Sequence, residues 1–256
     1  MKSVYENPEY YEIAFSFRDI EAEVDTLERC CRDHARLQVK DILEIGCGPS
    51  PHLEELLKRG YVYTGLDINQ VMLDYSAQKA RNLEGNASFI LADMIDFTPS
   101  KTCDLAFIAL GSLCARDTAD IFSHFRSVAS ALNEGGLYFL DWCIHFAPFS
   151  AQEDSWTIEQ ENIKVTTHYS EKPVNVVHQL MEETIHLEVL EGETTSSLRE
   201  TSIKRVIFPQ EFLQIINQIR ELEFVGWWNN WDLDKPLDSI KDPAKISRPI
   251  TLLRRK

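Results

Sequence analysis

The chain has 256 residues, with 26 basic residues set against 41 acidic ones and a net charge of −15. That length suits one large α/β domain with an insertion better than two independent domains. The acidic field repels phosphate backbones and anionic membranes, which argues against nucleic-acid or membrane partners. No apolar run is long enough to span a membrane, and the opening Met-Lys-Ser-Val-Tyr-Glu-Asn-Pro lacks a signal-peptide core. Six cysteines (Cys30, Cys31, Cys47, Cys103, Cys114 and Cys143) show no C-x-x-C pair or zinc-ligand spacing. Reduced, mostly buried thiols and a cytoplasmic protein are therefore expected.

Residues 1–18 are rich in aromatics (Tyr5, Tyr10, Tyr11, Phe15, Phe17) and end in Arg18. They read either as a leader packed on the core or as a lid over a cleft. Helical spacing of Ile20, Val24, Leu27 and Cys31 predicts a helix over 19–37, with Asp19 as N-cap. Ile42, Leu43 and Ile45 form a short apolar run, the pattern of a parallel strand buried on both faces. Gly46 and Gly48 follow at once, where the backbone must turn sharply and let a ligand approach. Pro49-Ser50-Pro51 suits a helix entry, leucines at 53, 56 and 57 continue the helix, and Gly60 ends it. A second strand over 61–66 then delivers Asp67 to the sheet edge that carries the glycine turn. This arrangement places a nucleoside-sized ligand over the strand carboxyl ends, with Asp67 set to accept hydrogen bonds from two ribose hydroxyls. A nicotinamide-binding turn would read G-x-G-x-x-G and aim helix N–H groups at a pyrophosphate. Here the third position is Pro51, which removes such an N–H, and Glu44 suits a ligand bearing a cation.

The stretch Glu44-Ile-Gly-Cys-Gly, with Asp67 after the next strand, resembles the first two motifs of class I S-adenosylmethionine-dependent methyltransferases. Ser50 stands where the family's third glycine usually lies. The resemblance implies S-adenosylmethionine as cofactor, held by Glu44, Gly46, Cys47, Gly48, Asp67 and Ile68. Tyr11-Glu12 is similar to a Tyr-Asp pair near the start of small-molecule members, which makes Tyr11 a cofactor contact. A helix is predicted over 69–82, where Met72 is either an adenine contact or core filler. After a third strand over 87–91, Asp93 matches the family's acceptor for the adenine amino group, with Met94 contributing backbone contact. The most continuously apolar strand, predicted over 103–110 and so central, ends at Leu110, where the family places groups flanking the sulfonium. Cys114-Ala115-Arg116 supplies no general base there. A helix over 118–132, a stop at Asn133–Gly136 and a fifth strand over 137–142 complete the core.

From Trp156 to Phe208 the pattern alternates as strands do, with turns expected at Glu171–Asn175 and at Glu191–Glu193. This reads as an antiparallel insertion of about three strands, followed by a helix over 209–220 and strands over 223–228 and 249–254. The predicted fold is α/β: a doubly wound, mostly parallel seven-stranded Rossmann-like sheet with an antiparallel insertion after the fifth strand. Within a single domain the divisions are a lid and helix (1–38), a cofactor core (39–150), the insertion (151–208) and a final helix with strands (209–256). The plan resembles methyltransferases acting on sugar amines, which implies a roof over the acceptor pocket and a homodimer contact through the inserted sheet.

A sulfonium methyl is already electrophilic, so the protein's main task is to hold an acceptor lone pair in line, away from water. His145, just past the fifth strand, is the candidate general base, while His168, His178 and His186 fall in the inserted sheet. His52 is a candidate neighbour of the methionine carboxylate. Trp227, Trp228 and Trp231, with Asp232 and Asp234, read as sheet packing plus a solvated loop, or as the rim of a pocket for a cationic acceptor. The resulting function is methyl transfer to a small-molecule acceptor. The alternatives are a catalytically silent S-adenosylmethionine-binding partner protein and a nicotinamide-dependent oxidoreductase.

Overall fold

The computed structural model describes residues 3–256, so the first two residues of the predicted N-terminal segment lie outside the described residues. A 3-10 turn (Val4–Glu6) leads into α1 (Pro8–Ala14) and α2 (Ile20–His34). Asp19 caps α2 by accepting the Ala22 N–H at 3.0 Å. The core then alternates β1 (Asp41–Ile45), α3 (Leu53–Lys58), β2 (Val62–Asp67), α4 (Gln70–Ala80), β3 (Asn86–Leu91), β4 (Cys103–Ile108), α5 (Thr118–Ala131) and β5 (Leu132–Asp141). An insertion, β6 (Gln152–Gln160), β7 (Ile163–Asn175), β8 (Leu180–Glu191) and β9 (Thr194–Arg205), precedes α6 (Pro209–Gln218), β10 (Leu222–Trp228) and β11 (Ile250–Arg255).

The main sheet runs β10-β11-β5-β4-β1-β2-β3. β1 through β5 pair in parallel, and β11 lies antiparallel between β5 and β10. Period-two alternation divides its side chains between two apolar layers. Leu43, Ile45, Ala106, Ile108, Tyr138 and Leu140 face α5 and α6. Ile42, Leu105, Phe107, Leu137 and Phe139 face α2 and α3. All six residues of β4 are buried at the middle of the sheet, as its mostly apolar sequence, interrupted only by Asp104, predicts.

The insertion is a four-stranded antiparallel meander in the order β6-β7-β8-β9, not three strands. β6 escapes sequence reading because it is a polar edge strand, exposed along most of its length. The turn expected at Glu171–Asn175 lies instead at residues 176–179, since Lys172 still pairs with Glu182 and Pro173 with Met181. The misleading signal is Pro173, which sits where the register shifts and beyond the last β6 pairing, Gln152 with Glu171. An edge position of this kind tolerates a residue with no N–H. The turn at Gly192 falls where expected. One face of the meander packs Val165, Leu187, Val189 and Leu198 against Val4, Ile13 and Ala14, so the N-terminal segment is clasped between roof and core.

Candidate cofactor cleft

The backbone at the carboxyl ends of β1, β2 and β4 is shaped by three turns. Gly46 has φ +64°, and a Cβ there would stand 3.1 Å from the Met94 methyl. Gly48 has φ +50° and donates its N–H to Asp67 at 2.8 Å, while the other Asp67 oxygen accepts from the Asn69 N–H at 2.8 Å. Burial raises the Asp67 carboxyl above its ordinary value, and these backbone donors oppose that shift. After β4, Leu110 adopts φ +54°. Asp141 at the end of β5 holds that bend by accepting the Leu110 N–H at 2.8 Å on its carboxylate and the Gly111 N–H at 2.9 Å on its main-chain carbonyl.

These turns border a cavity of about 190 Å³ that brings together Tyr11, Glu44, Gly46, Cys47, Gly48 and Leu110 from the sequence-predicted set. Glu12, Phe15, Ser16, Arg18, Ile20 and Ser112 complete much of the wall. The N-terminal segment is thus both packed leader and cover. Tyr11 packs at a tilt against Tyr5 and Phe15, with ring centroids 5.8 and 4.7 Å away, while Glu12 accepts from Tyr75 of α4 at 2.6 Å and pairs with Lys79. Asp67 and Met94 do not line the cavity themselves; Asp67 is bonded to Gly48, and the Met94 methyl lies next to Gly46, both of which do. Ile68, just past β2, is 68 % exposed and does not line the cavity, and Leu91 at the end of β3 and Val71 at the start of α4 are exposed apolar side chains too. Met72 is only 2 % exposed and lies within the fold rather than in the cavity wall. Asp93 is exposed, with one carboxylate oxygen accepting the Ile95 N–H at 2.9 Å. His145 packs edge-on against Phe149 and Phe208 and is not among the residues lining the cavity.

Behind the cavity wall lies a buried polar network that the sequence did not announce. The Glu44 carboxylate takes His52 Nδ1–H at 2.8 Å and the Tyr63 hydroxyl at 2.5 Å. His52 Nε2 lies 2.9 Å from Glu23, which also accepts from Arg18 and, at 2.6 Å, from Arg248. Arg248 continues to Asp141, which also accepts the Trp231 indole N–H at 2.8 Å. Because carboxylates only accept, the contacts to Glu44 and Glu23 put hydrogen on both His52 nitrogens, against the Arg18 guanidinium 3.0 Å from Nε2. Burial opposes that charge, but Glu44 and Glu23 hold the imidazole above its usual value. The usable signal was Glu23, an acid on the apolar stripe of α2. Trp231 packs on Phe139 with its centroid 4.7 Å away, Trp227 is buried, and none of the three tryptophans lines the cavity, so sheet packing accounts for them.

A second buried histidine steadies the loop after β3. His124 Nδ1 lies 2.7 Å from the Met94 carbonyl, and Nε2 lies 2.7 Å from the Tyr138 hydroxyl. A carbonyl can only accept, so the proton sits on Nδ1 and Tyr138 donates to Nε2.

The family profile described as "Methyltransferase domain" matches residues 42–136. A protein of Geobacillus sp. (strain WCH70), assigned by name as a methyltransferase, is 25 % identical over 116 residues. That match spans 45 % of this chain and 47 % of the relative, so the chain covers about half the relative's length. Among solved structures, an S-adenosylmethionine-dependent methyltransferase from Clostridium acetobutylicum ATCC 824 superposes with a TM-score of 0.76 at 17 % identity, covering 96 % of each chain. The sugar N-methyltransferase KedS8 from Streptoalloteichus sp ATCC 53650 gives 0.74 at 19 %, over 96 % of this chain and 92 % of that one. CalS10, an amino pentose methyltransferase from Micromonospora echinaspora, gives 0.72 at 16 %, over 96 % of each. At such identities structural likeness establishes the fold. Residues 42–136 thus carry a methyltransferase domain, and the fold around it is that of the class I S-adenosylmethionine-dependent methyltransferases.

The cleft fits that cofactor on three counts. Gly46 leaves open a space that a side chain would fill, Arg18 and Glu44 offer both signs of charge to an amino-acid head, and Asp67 stands at the strand end with exposed apolar side chains beside it.

Proposed function

We propose that the protein transfers a methyl group from S-adenosylmethionine to the nitrogen of a small polar acceptor such as an amino sugar. The observation that carries this reading is the single cavity uniting the glycine turn, the Leu110 bend and the Tyr11–Arg18 cover beneath an inserted sheet. The likeness to KedS8, a sugar N-methyltransferase, and to CalS10, an amino pentose methyltransferase, supports the choice of nitrogen. The cavity lining supports it too, because burial pushes both the Tyr11 phenol and the Cys47 thiol upward, so neither ionises near neutral pH. A neutral amine needs the least help from a base.

When bound, the cofactor supplies an electrophilic methyl on a positively charged sulfur. Asp67 accepts the ribose hydroxyls, in an orientation fixed by the Gly48 and Asn69 N–H groups. Arg18 and Glu44 receive the carboxylate and ammonium of the amino-acid portion, with Ile68, Asp93 and Met94 at the adenine end. Tyr11 and Phe15 close the cavity against water, which strengthens each of these contacts. His145 is the proposed acceptor for the proton released by the amine. The same reading has the protein in the cytoplasm as a homodimer joined through the inserted sheet. Among the described residues, no helix is long and apolar enough to cross a membrane.

Incubation with S-adenosylmethionine and a panel of amino sugars, simple amines, phenols and carboxylates, read by mass, tests this function. A 14 Da gain on amines alone is expected from exchange of hydrogen for methyl. Tight S-adenosylhomocysteine binding without transfer to any acceptor would favour the silent partner protein instead.

A further inference from the structure

The meander's outer face, opposite the one packed on the N-terminal segment, holds a feature that methyl transfer does not use. His168 on β7 stands directly across from His186 on β8, with the rings stacked 28° from parallel and centroids 5.5 Å apart. Glu188 lies two residues beyond His186 and therefore projects from the same face. One ligand atom from each of His168, His186 and Glu188 lies within 4.8 Å of the others. The two histidines line a depression of about 490 Å³ with Glu153, Ser170, Thr184 and Arg199.

We propose that His168, His186 and Glu188 form a binding site for a transition-metal dication, with Zn²⁺ as the best-matched ion. Two imidazoles and one carboxylate are a borderline donor set that suits Zn²⁺, Ni²⁺ or Cu²⁺ and not Mg²⁺ or Ca²⁺, and water completes the coordination. A pair two residues apart on one strand, plus one residue facing it on the next, brings three ligands together without any loop rearrangement. Ser197 on β9 lies 2.9 Å from His186 Nε2 and fixes that ring, the role outer hydrogen bonds play around metal-bound histidines. The net charge of −15 draws cations to the surface. Arg199, paired across from His186, opposes a dication, whereas Glu153 in the same depression favours one. A bound ion would tie β7 to β8 at mid-strand and stiffen the roof.

The test is calorimetric titration of the metal-stripped, tag-free full chain with Zn²⁺, repeated with Co²⁺ while visible absorption is followed. One ion per chain is expected, with an affinity on the order of micromolar for an exposed three-ligand site. His168→Ala and His186→Ala should each weaken binding about tenfold or more and abolish the Co²⁺ bands. Arg199→Ala should tighten it several-fold, and His178→Ala should change nothing. Circular dichroism confirms that each variant is folded. No uptake at about 100 µM Zn²⁺, or uptake that survives in the His168→Ala, His186→Ala double variant, would overturn the site.

Discussion

The Asp67 carboxylate accepts the Gly48 N–H at 2.8 Å, which ties the end of β2 to the glycine turn after β1. Two sequence signals nineteen residues apart thus become one piece of geometry. Asp67→Asn keeps the volume but gives up the charge that strengthens hydrogen bonds to ribose hydroxyls. Each charge-assisted bond contributes about 1.5–3 kcal/mol. Affinity for S-adenosylhomocysteine should fall roughly tenfold to a hundredfold by calorimetry, and thermal stability should fall too, because the Asn amide nitrogen cannot accept one of the two backbone N–H groups that Asp67 holds. Unaltered affinity would separate Asp67 from the cofactor.

The His52 imidazolium between Glu44 and Glu23 predicts a stability optimum in the mildly acidic range. His52 is held above its ordinary 6.5, so its contribution is complete below that pH and is lost as pH rises through the folded value. For Glu23, burial would raise the carboxyl, but hydrogen bonds from His52 and Arg18 carry it well below its ordinary 4.5. Its contribution is present above that pH and lost as pH falls. His52→Gln should cost about 3–5 kcal/mol near pH 6, because two buried carboxylates lose a partner. The gap from wild type should then narrow as pH rises past 6.5. Denaturant melts across pH 5–9 would show it, and a gap independent of pH would mean that His52 is neutral.

His124 has the opposite sign. Burial pushes its pKa down to about 4, so it stays neutral while the unfolded chain takes up a proton below 6.5. Stability therefore falls as pH drops from 6.5 towards 4, and His124→Gln should flatten that decline. At pH 7.5 the variant should lose about 2–4 kcal/mol, from imperfect filling of a fully buried site and an unpaired Tyr138 hydroxyl. Urea unfolding at the two pH values is the check. Since the Met94 carbonyl also loses its donor, S-adenosylhomocysteine affinity should weaken modestly.

Local pattern made much of this legible. β1, β2 and β4, the glycine turn, Asp67, and the cap at Asp19 are written in residue periodicity and turn chemistry, which a sequence displays directly. β6 and the 176–179 turn were not legible, because a polar edge strand lacks alternation and Pro173 mimics a turn wherever its missing N–H costs nothing. The network behind the cleft was hidden for a different reason. Glu23 and Arg248 meet across 225 residues, and Asp141 and Arg248 across 107. A charged residue in a sequence names its own chemistry but not its partner, and burial alone turns these pairs into a frame for the cavity.

His145 is the candidate for the proposed proton transfer, and it stands outside the cavity lining. His52 and His124 are committed to buried partners, His168 and His186 lie on the outer face of the roof, His178 is exposed in the 176–179 turn, and His34 packs at a tilt on Trp228. His145 sits past the end of β5, its N–H bonded to the Ile207 carbonyl at 2.8 Å and its ring against Phe208. If it takes the amine proton, His145→Ala should lower kcat about a hundredfold at pH 7 and leave S-adenosylhomocysteine affinity unchanged. The loss should shrink at higher pH, where the acceptor arrives neutral. A kcat within about threefold of wild type at pH 7 would instead assign the rate to positioning alone, the work of Asp67, Arg18 and the Tyr11 cover.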